Sequence, residues 1–175
     1  RIHNPLDVTD VAPTPVLIAA LGPVMLRIAG ERTDGTILWL ADERAIADHV
    51  VPHLTKAAEG AGRPTPRIVA GVPVCLCADD EVDRAVERTN RILSEAEVSP
   101  NYQKLLDLGD AHNVGDLLAA GDEAAVERRL RSYADAGVTD LSVRVVPIGD
   151  GRDELIASSK RTRALLAELA PKLAS

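Results

Sequence analysis

VLIAALGPVMLRIAGERTDG, residues 16–35, carries the clearest indication of the fold. It begins as a short continuous apolar run, passes through Gly22 and Pro23, and continues with apolar residues at helical spacing. Glycine allows the backbone to approach a ligand closely, and proline suits the first position of a helix. The pattern predicts a buried strand over residues 16–21 that turns directly into a helix over residues 23–32.

The junction between this strand and this helix has the features of an anion site. A helix that begins at Pro23 leaves the N–H groups of Val24 and Met25 without intrahelical partners, at the positive end of the helix dipole. We therefore predict that this turn binds the phosphate of a cofactor. The candidate cofactor-binding residues are Ala20, Leu21, Gly22, Pro23, Val24 and Met25. The alternative is an ordinary strand-to-helix turn with no ligand.

Strands and helices are expected to alternate through the rest of the chain. Further strands are predicted at residues 36–41, 67–77 and 139–147. Further helices are predicted at residues 43–59, 81–98, 100–108, 123–136 and 153–172, with a loop at 109–115 leading into more helix. This α/β pattern predicts a parallel sheet with right-handed crossovers, either a small doubly wound fold or half of a β/α barrel. A complete barrel takes about 250 residues, whereas this chain has 175.

Short motifs run through the chain in a consistent order. They lie at residues 20–23, 29–31, 34–35, 50–54, 67–74, 100–102 and 134–140. Together they resemble the luciferase-like monooxygenase superfamily, especially its branch that uses the deazaflavin coenzyme F-420. The resemblance implies the C-terminal half of a TIM-type (β/α)8 barrel, strands five to eight with their helices. Residues 1–175 would then form one domain segment, with the N-terminal half absent.

The resemblance also implies an activity. The expected protein is an oxidoreductase that transfers a hydride between coenzyme F-420 and a small organic substrate, with the cofactor supplying the chemistry. No catalytic residue is assigned. An FMN-dependent monooxygenase is one alternative, because the same phosphate site would serve either flavin. A non-enzymatic half-barrel that binds or assembles through open sheet edges is another. Dimers are common in the superfamily, so a homodimer is a further expectation.

Two more residues are candidates for lining a substrate pocket. Trp39 lies near the carboxyl end of its predicted strand, the end at which barrel active sites form. Arg144 is a charged residue inside an otherwise apolar strand, and such a charge usually has a ligand or an internal partner. Core packing of Trp39 and an internal ion pair of Arg144 are the alternatives.

Composition argues against several other classes of protein. The formal charge is −7 and only 2% of residues are aromatic, so neither a basic footprint nor a stacking surface for nucleic acid is present. No apolar run approaches the about 20 residues that span a bilayer, and no signal-peptide pattern is found, which favours a cytoplasmic protein. Cys75 and Cys77 are expected to pack in a strand rather than form a disulfide. His49 and His53 lack a third ligand, so no metal is expected.

Overall fold

The computed structural model describes residues 14–97 and 100–173. Its strands are β1 (Leu17–Ala19), β2 (Gly35–Trp39), β3 (Arg67–Leu76), β4 (Ala119–Gly121) and β5 (Asp140–Val145). Its helices are α1 (Pro23–Arg32), α2 (Glu43–Ala45), α3 (Val51–Gly60), α4 (Val82–Glu97), α5 (Pro100–Leu106), α6 (Glu123–Asp135) and α7 (Arg152–Leu173). A π-helical turn, Ile46–Val50, joins α2 to α3, and 3₁₀ turns lie at Asp79–Glu81 and Val114–Leu117.

The strands form one parallel sheet in the part of the chain that the structure describes. β1 pairs with β2, β2 pairs with β3, and β3 pairs along its other edge with β5. Parallel neighbours need a crossover connection, and the helices between them supply it. The predicted parallel sheet with alternating helices is therefore confirmed.

β4 corrects the expectation of more helix after the loop at residues 109–115. The chain there forms only a 3₁₀ turn, and Ala119–Gly121 then pairs with the carboxyl end of β3. Val74 pairs with Ala119 along one edge and with Val145 along the other. β4 therefore pairs with the carboxyl end of the same edge of β3 whose amino end pairs with β2. Its three small residues carry no periodic pattern, so only the tertiary pairing defines this strand.

Pro73 lies inside the central strand without interrupting it. The carbonyl groups of Ile68 and Val74 accept hydrogen bonds from the β5 side, so the backbone of Pro73 faces the opposite edge. On that edge, the pairing with β2 ends at Gly71 and the pairing with β4 begins at Val74. Proline cannot donate to a ladder, and it occupies the one gap in which no neighbouring strand requires a donor.

The two faces of the sheet are covered to different extents. The residues of β3 that point towards the helices are at most 3% exposed: Ile68, Ala70, Val72 and Val74. Fully buried side chains from the helices pack against them, among them Leu26, Leu54, Leu130 and Tyr133. The opposite face, which we call the open face, bears Ile37, Trp39, Gly71, Ser142 and Arg144. Ile37 is 45% exposed there.

Helices α4 and α5, together the α4–α5 cap, pack at the carboxyl ends of the strands. Cys75 and Cys77 pack against Ala85 of α4. Leu40 and Leu106 belong to a second buried cluster with residues of α4 and α5. Leu40 has φ 59°, a left-handed conformation that is costly for a side chain other than glycine. The burial of Leu40 in this cluster offsets that cost.

Gly30 brings α1 and α3 into close contact. A Cβ atom at this position would lie 2.5 Å from the carbonyl oxygen of Leu54 and 2.8 Å from the Cβ of Ala57. No side chain larger than hydrogen fits between the two helices at this point. The position of α1, and of the turn that begins it, is therefore fixed by its contact with α3.

Candidate functional site

The Gly22–Pro23 turn is open at the start of α1. Gly22 is the N-cap, with φ −93° and ψ 161°, and its carbonyl accepts from Leu26 N at 3.0 Å. No side chain caps the helix, and no acidic residue lies in its first turn. A Cβ atom at Gly22 would have nothing within 4 Å, so the space in front of the turn is clear. The positive end of the α1 dipole therefore has no carboxylate of its own helix to neutralise it.

A π-helical turn directs a histidine at this site. Pro52 has no N–H and cannot complete the α-helical bond to the carbonyl four residues earlier. The helix instead widens by one residue, and Val51 N bonds to Ile46 O. Within this turn, Nε2 of His49 lies 3.1 Å from the carbonyl oxygen of Leu21. A carbonyl oxygen only accepts, so Nε2 carries the hydrogen and ties the π-helical turn to the residue before Gly22.

A groove of about 710 Å³ lies in front of the turn, and we call it the Gly-Pro groove. Its lining residues are Ala19, Leu21, Gly22, Pro23, Met25, His49, Lys104, Leu105, Asp107 and Leu108. Lys104 reaches the groove from α5, and Asp107 is the residue that follows α5. The groove therefore joins the open start of α1 to a cation from the α4–α5 cap.

Asp42 fixes the loop that follows α5. This carboxylate is 4% exposed and caps α2 by accepting from Ala45 N at 2.8 Å. It also accepts from Asp110 N at 2.5 Å and from Ala111 N at 2.9 Å. A buried carboxylate must be hydrogen-bonded to be tolerated, and these three backbone donors satisfy it. The loop after α5 is thereby held at the end of β2, which restrains the position of Lys104.

The predicted cofactor-binding residues divide into two groups in the structure. Leu21, Gly22, Pro23 and Met25 line the Gly-Pro groove. Ala20 is 1% exposed and packs in the core between sheet and helices. Val24 is 61% exposed and points into a neighbouring groove between α1 and α3. A phosphate role for this turn stays a prediction, carried by backbone groups rather than by the side chains of these residues.

Trp39 and Arg144 lie on the open face rather than along the Gly-Pro groove. The indole of Trp39 lies across Gly71, where a Cβ atom would overlap the ring. Arg144 is exposed on β5, opposite Pro73 in the register. Both are near the carboxyl ends of their strands. A role for them in lining a substrate pocket stays a prediction.

A second turn with glycine, between β5 and α7, is already filled by carboxylates. The N–H of Asp150 donates to Oε2 of Glu154 at 2.7 Å. The carboxylate of Asp150 pairs with Arg84 at 2.5 Å. Asp153 and Glu154 both lie in the first turn of α7. These negative groups occupy the place at which many β/α barrels bind phosphate.

The cysteines and the two neighbouring histidines have structural contacts. Cys75 and Cys77 are free and buried, and burial, followed by the neighbouring Cys77, raises the pKa of Cys75 to about 12. Nδ1 of His53 donates to the carbonyl of His49 at 2.7 Å. In residues 14–97 and 100–173 no group of three potential metal ligands comes together. None of the helices described is long and apolar enough to cross a bilayer.

His49 and Lys104 were not identified as site residues from the sequence. The sequence signal for His49 was Pro52, three residues further along the chain, because a proline at that position indicates an irregular helix around His49. Lys104 has no local signal, because its place in the groove depends on how the α4–α5 cap packs over the strands. Both residues come from segments that are distant from Gly22 in the chain.

Comparison with known proteins shows which family the sequence matches. Residues 2–140 match the family model for luciferase-like monooxygenases. The chain is 25% identical over 167 aligned residues to the 5,10-methylenetetrahydromethanopterin reductase of Methanopyrus kandleri, covering 81% of this chain and 47% of the reductase.

Solved structures of similar fold include both deazaflavin and flavin enzymes. An F-420-dependent secondary alcohol dehydrogenase with an F-420–acetone adduct superposes with a TM-score of 0.60 at 15% identity, covering 89% of this chain and 49% of that one. The FMN complex of the oxygenating constituent of 3,6-diketocamphane monooxygenase from Pseudomonas putida superposes with a TM-score of 0.59 at 21% identity. This match covers 89% of this chain and 47% of that one. The coenzyme F-420-dependent tetrahydromethanopterin reductase of Methanopyrus kandleri superposes with a TM-score of 0.54 at 22% identity. This match covers 85% of this chain and 49% of that one.

These neighbours show that the chain forms part of a known fold. The sheet and its helices are a partial α/β fold of the TIM type, as the sequence predicted. The chain spans about half the length of each of these relatives.

Proposed function

Because this chain belongs to the luciferase-like monooxygenase family, we propose that the protein is an oxidoreductase that transfers a hydride between coenzyme F-420 and a small organic substrate. The segment described here would be strands five to eight of the barrel. Its part in the reaction is to bind the phosphate of the cofactor and to form one wall of the pocket. The single observation that carries the proposal is the open, uncapped start of α1 facing the Gly-Pro groove.

The residues of the turn fit a phosphate group. Gly22 has no side chain, and even an added Cβ would meet no atom within 4 Å. The start of a helix offers backbone N–H donors together with the positive end of the dipole. A charge-assisted hydrogen bond contributes about 1.5–3 kcal/mol, so two backbone donors would account for a large part of the binding of a phosphate.

Lys104 and His49 complete the proposed phosphate site in different ways. Lys104 lines the Gly-Pro groove and brings a positive charge to a ligand that carries a negative one. His49 acts as a positioning residue, because its Nε2–H holds the carbonyl of Leu21. With that carbonyl engaged by His49, the N–H groups after Gly22 are the backbone groups left to face the groove.

The flavin, when bound, supplies the carbon that accepts or donates the hydride. The chain contributes binding and orientation. The α4–α5 cap would shield the cofactor from water at the carboxyl ends of the strands, and water exclusion strengthens the electrostatic contacts within a site. Trp39 and Arg144 would line the adjoining substrate pocket on the open face.

An FMN-dependent monooxygenase is the second candidate. The FMN-bound oxygenating constituent of 3,6-diketocamphane monooxygenase superposes as well as the F-420-dependent alcohol dehydrogenase does. A phosphate bound by backbone groups does not by itself distinguish the two flavins. F-420 is favoured because a curated relative by sequence is a methylenetetrahydromethanopterin reductase, and the matching solved reductase is F-420-dependent.

A titration of the full-length protein with each flavin tests the proposal. We expect coenzyme F-420 to bind at least about tenfold more tightly than FMN, a difference of about 1.4 kcal/mol. Reduction of bound F-420 by candidate alcohols would then identify the reaction class. Tight FMN binding with oxygen consumption would instead support the monooxygenase. If neither flavin binds, the oxidoreductase proposal is wrong and a half-barrel assembly module becomes the better account, to be checked by the mass of the particle in solution.

A further inference from the structure

A second groove, of about 640 Å³, runs between α1 and α3 on the outer side of the molecule. We call it the α1–α3 groove. Pro23 borders both this groove and the Gly-Pro groove. From Pro23 the α1–α3 groove continues along α1 past Val24, Arg27 and Glu31. A ligand bound at the start of α1 could therefore extend into either groove without leaving the surface.

The α1–α3 groove is basic in an acidic protein. Arg27 lies on one side, and His53 and Lys56 lie on the other. Glu31 is the one carboxylate among its lining residues, and it pairs with Arg27 at 3.2 Å. The cations therefore outnumber the carboxylates here, although the whole chain has a formal charge of −7. Lysine and arginine recognise carboxylate and phosphate groups through charge-assisted hydrogen bonds.

The positions of these basic groups are fixed by the helices. Gly30 holds α1 against α3, with room for only a hydrogen between Gly30 and Leu54 O. Nδ1 of His53 donates to the carbonyl of His49, which leaves Nε2 as the other polar atom of the ring. Lys56 lies three residues after His53 and therefore lies on the same side of α3.

We propose that the α1–α3 groove is a second subsite of the same ligand, and that it binds a carboxylate-bearing chain that continues beyond the phosphate. The inference rests on the proposed phosphate site at Gly22 and deepens it. FMN ends at its phosphate, whereas coenzyme F-420 continues past its phosphate into a chain of carboxylates. The basic residues of the groove would then contact only the longer cofactor, and would make the site prefer it.

Charge reversal at Lys56 tests this inference. Lys56→Glu in the full-length protein should weaken coenzyme F-420 binding about tenfold or more, equivalent to about 1.4 kcal/mol. FMN binding should change less than about twofold, because FMN does not reach beyond the turn. Lys160→Glu, an equal charge change on the exposed side of α7, is the matched control and should affect neither cofactor. Equal weakening of both cofactors, or of neither, would overturn the proposal.

A probe without a flavin separates this inference from the proposed function. Triglutamate peptide is added to the protein, and the imidazole C–H signals of His53 are followed by NMR. A shift at His53 that disappears in Lys56→Glu supports a carboxylate subsite even if neither flavin binds. If neither flavin binds and the peptide leaves His53 unchanged, the subsite and the proposed function both fail.

Discussion

Two turns of the molecule have the same local geometry, but they differ in the acidic residues of the helix that follows. Gly22 precedes α1 and accepts from Leu26 N at 3.0 Å, and Gly151 precedes α7 and accepts from Leu155 N at 3.1 Å. A Cβ atom at either glycine would have nothing within 4 Å. The first turn of α1 contains no acidic residue, whereas the first turn of α7 contains Asp153 and Glu154.

A glycine before a helix therefore does not by itself make an anion site. At the α7 turn, Glu154 takes the N–H of Asp150 and the positive end of the dipole is already neutralised. At the α1 turn, no carboxylate lies in the first turn of the helix, and Lys104, Asp107 and His49 line the groove in front of it. The groups that surround each turn, more than the turn itself, decide whether a negative ligand is attracted or repelled.

The largest expected effect comes from placing a carboxylate in the α1 turn. Gly22→Asp should lower flavin affinity by about 100-fold or more, since the loss of two charge-assisted contacts costs about 3 kcal/mol or more. Aspartate is a favourable N-cap, so the thermal stability of the protein should be unchanged or higher. Fluorescence titration and a thermal melt measure the two effects separately.

Gly151→Asp is the matched control for that change. It adds the same side chain at the same position of the other turn, where no ligand is expected, and flavin affinity should remain that of the wild type. A comparable loss of affinity in both variants would show that the added charge acts at long range, and the distinction between the two turns would not hold.

The second prediction concerns the packing that positions the α1 turn. Gly30→Ala should lower the free energy of unfolding by about 1–3 kcal/mol, because the added methyl group overpacks the contact with Leu54. Gly60→Ala, at a helical position with nothing within 4 Å, should be neutral or stabilising by up to about 1 kcal/mol. Urea unfolding measures both. Equal stability of the two variants would mean that α1 can move away from α3 at little cost.

A smaller effect is expected from the cation beside the α1 turn. Lys104→Gln should weaken flavin binding about two- to fivefold, since an exposed lysine contributes about 1 kcal/mol or less to a charged contact. Because exposed charges are screened by salt, the difference between wild type and variant should shrink as ionic strength rises. Lys160→Gln on α7 is the control and should bind like the wild type. A loss that does not depend on salt would contradict an electrostatic role for Lys104.

The smallest effect is expected at the α7 turn. Glu154→Gln removes one of the carboxylates near the start of that helix and should lower stability by about 0.3–1 kcal/mol. Flavin and phosphate binding should remain that of the wild type, with no second phosphate site at the α7 turn, because Asp150 and Asp153 remain there. A thermal melt and a titration with inorganic phosphate measure these outcomes. Phosphate binding gained by this single change would show that Glu154 alone separates the two turns.

Much of the fold could be predicted because its signals are local. Asp42 and Asp122 cap the helices that follow them, and Gly137 ends α6 at φ +100°. The apolar stripe of α6 is fully buried, at Val126, Leu130 and Tyr133. Capping and helical periodicity depend on residues within about four positions of each other, so a single sequence contains them.

The candidate site was only partly predictable. The residues of the Gly22–Pro23 turn could be proposed from the sequence, because glycine, proline and the start of a helix are adjacent in the chain. Lys104 could not, because its position depends on the packing of the α4–α5 cap and on the hydrogen bonds of Asp42 to the loop after α5. The position of His49 depends on the π-helical turn that Pro52 causes. The direction in which this turn points His49 is defined only by the packing of the helix.

Neighbouring residues in the sequence account for the parallel β/α order, the uncapped start of α1 and the acidic first turn of α7. Long-range packing accounts for the pairing of β4 with β3, the approach of Lys104 and His49 to Leu21–Met25, and the place of Trp39 across Gly71. These contacts join residues that are far apart in the chain. Their geometry follows from the packing of whole elements, which no local pattern of residue types specifies.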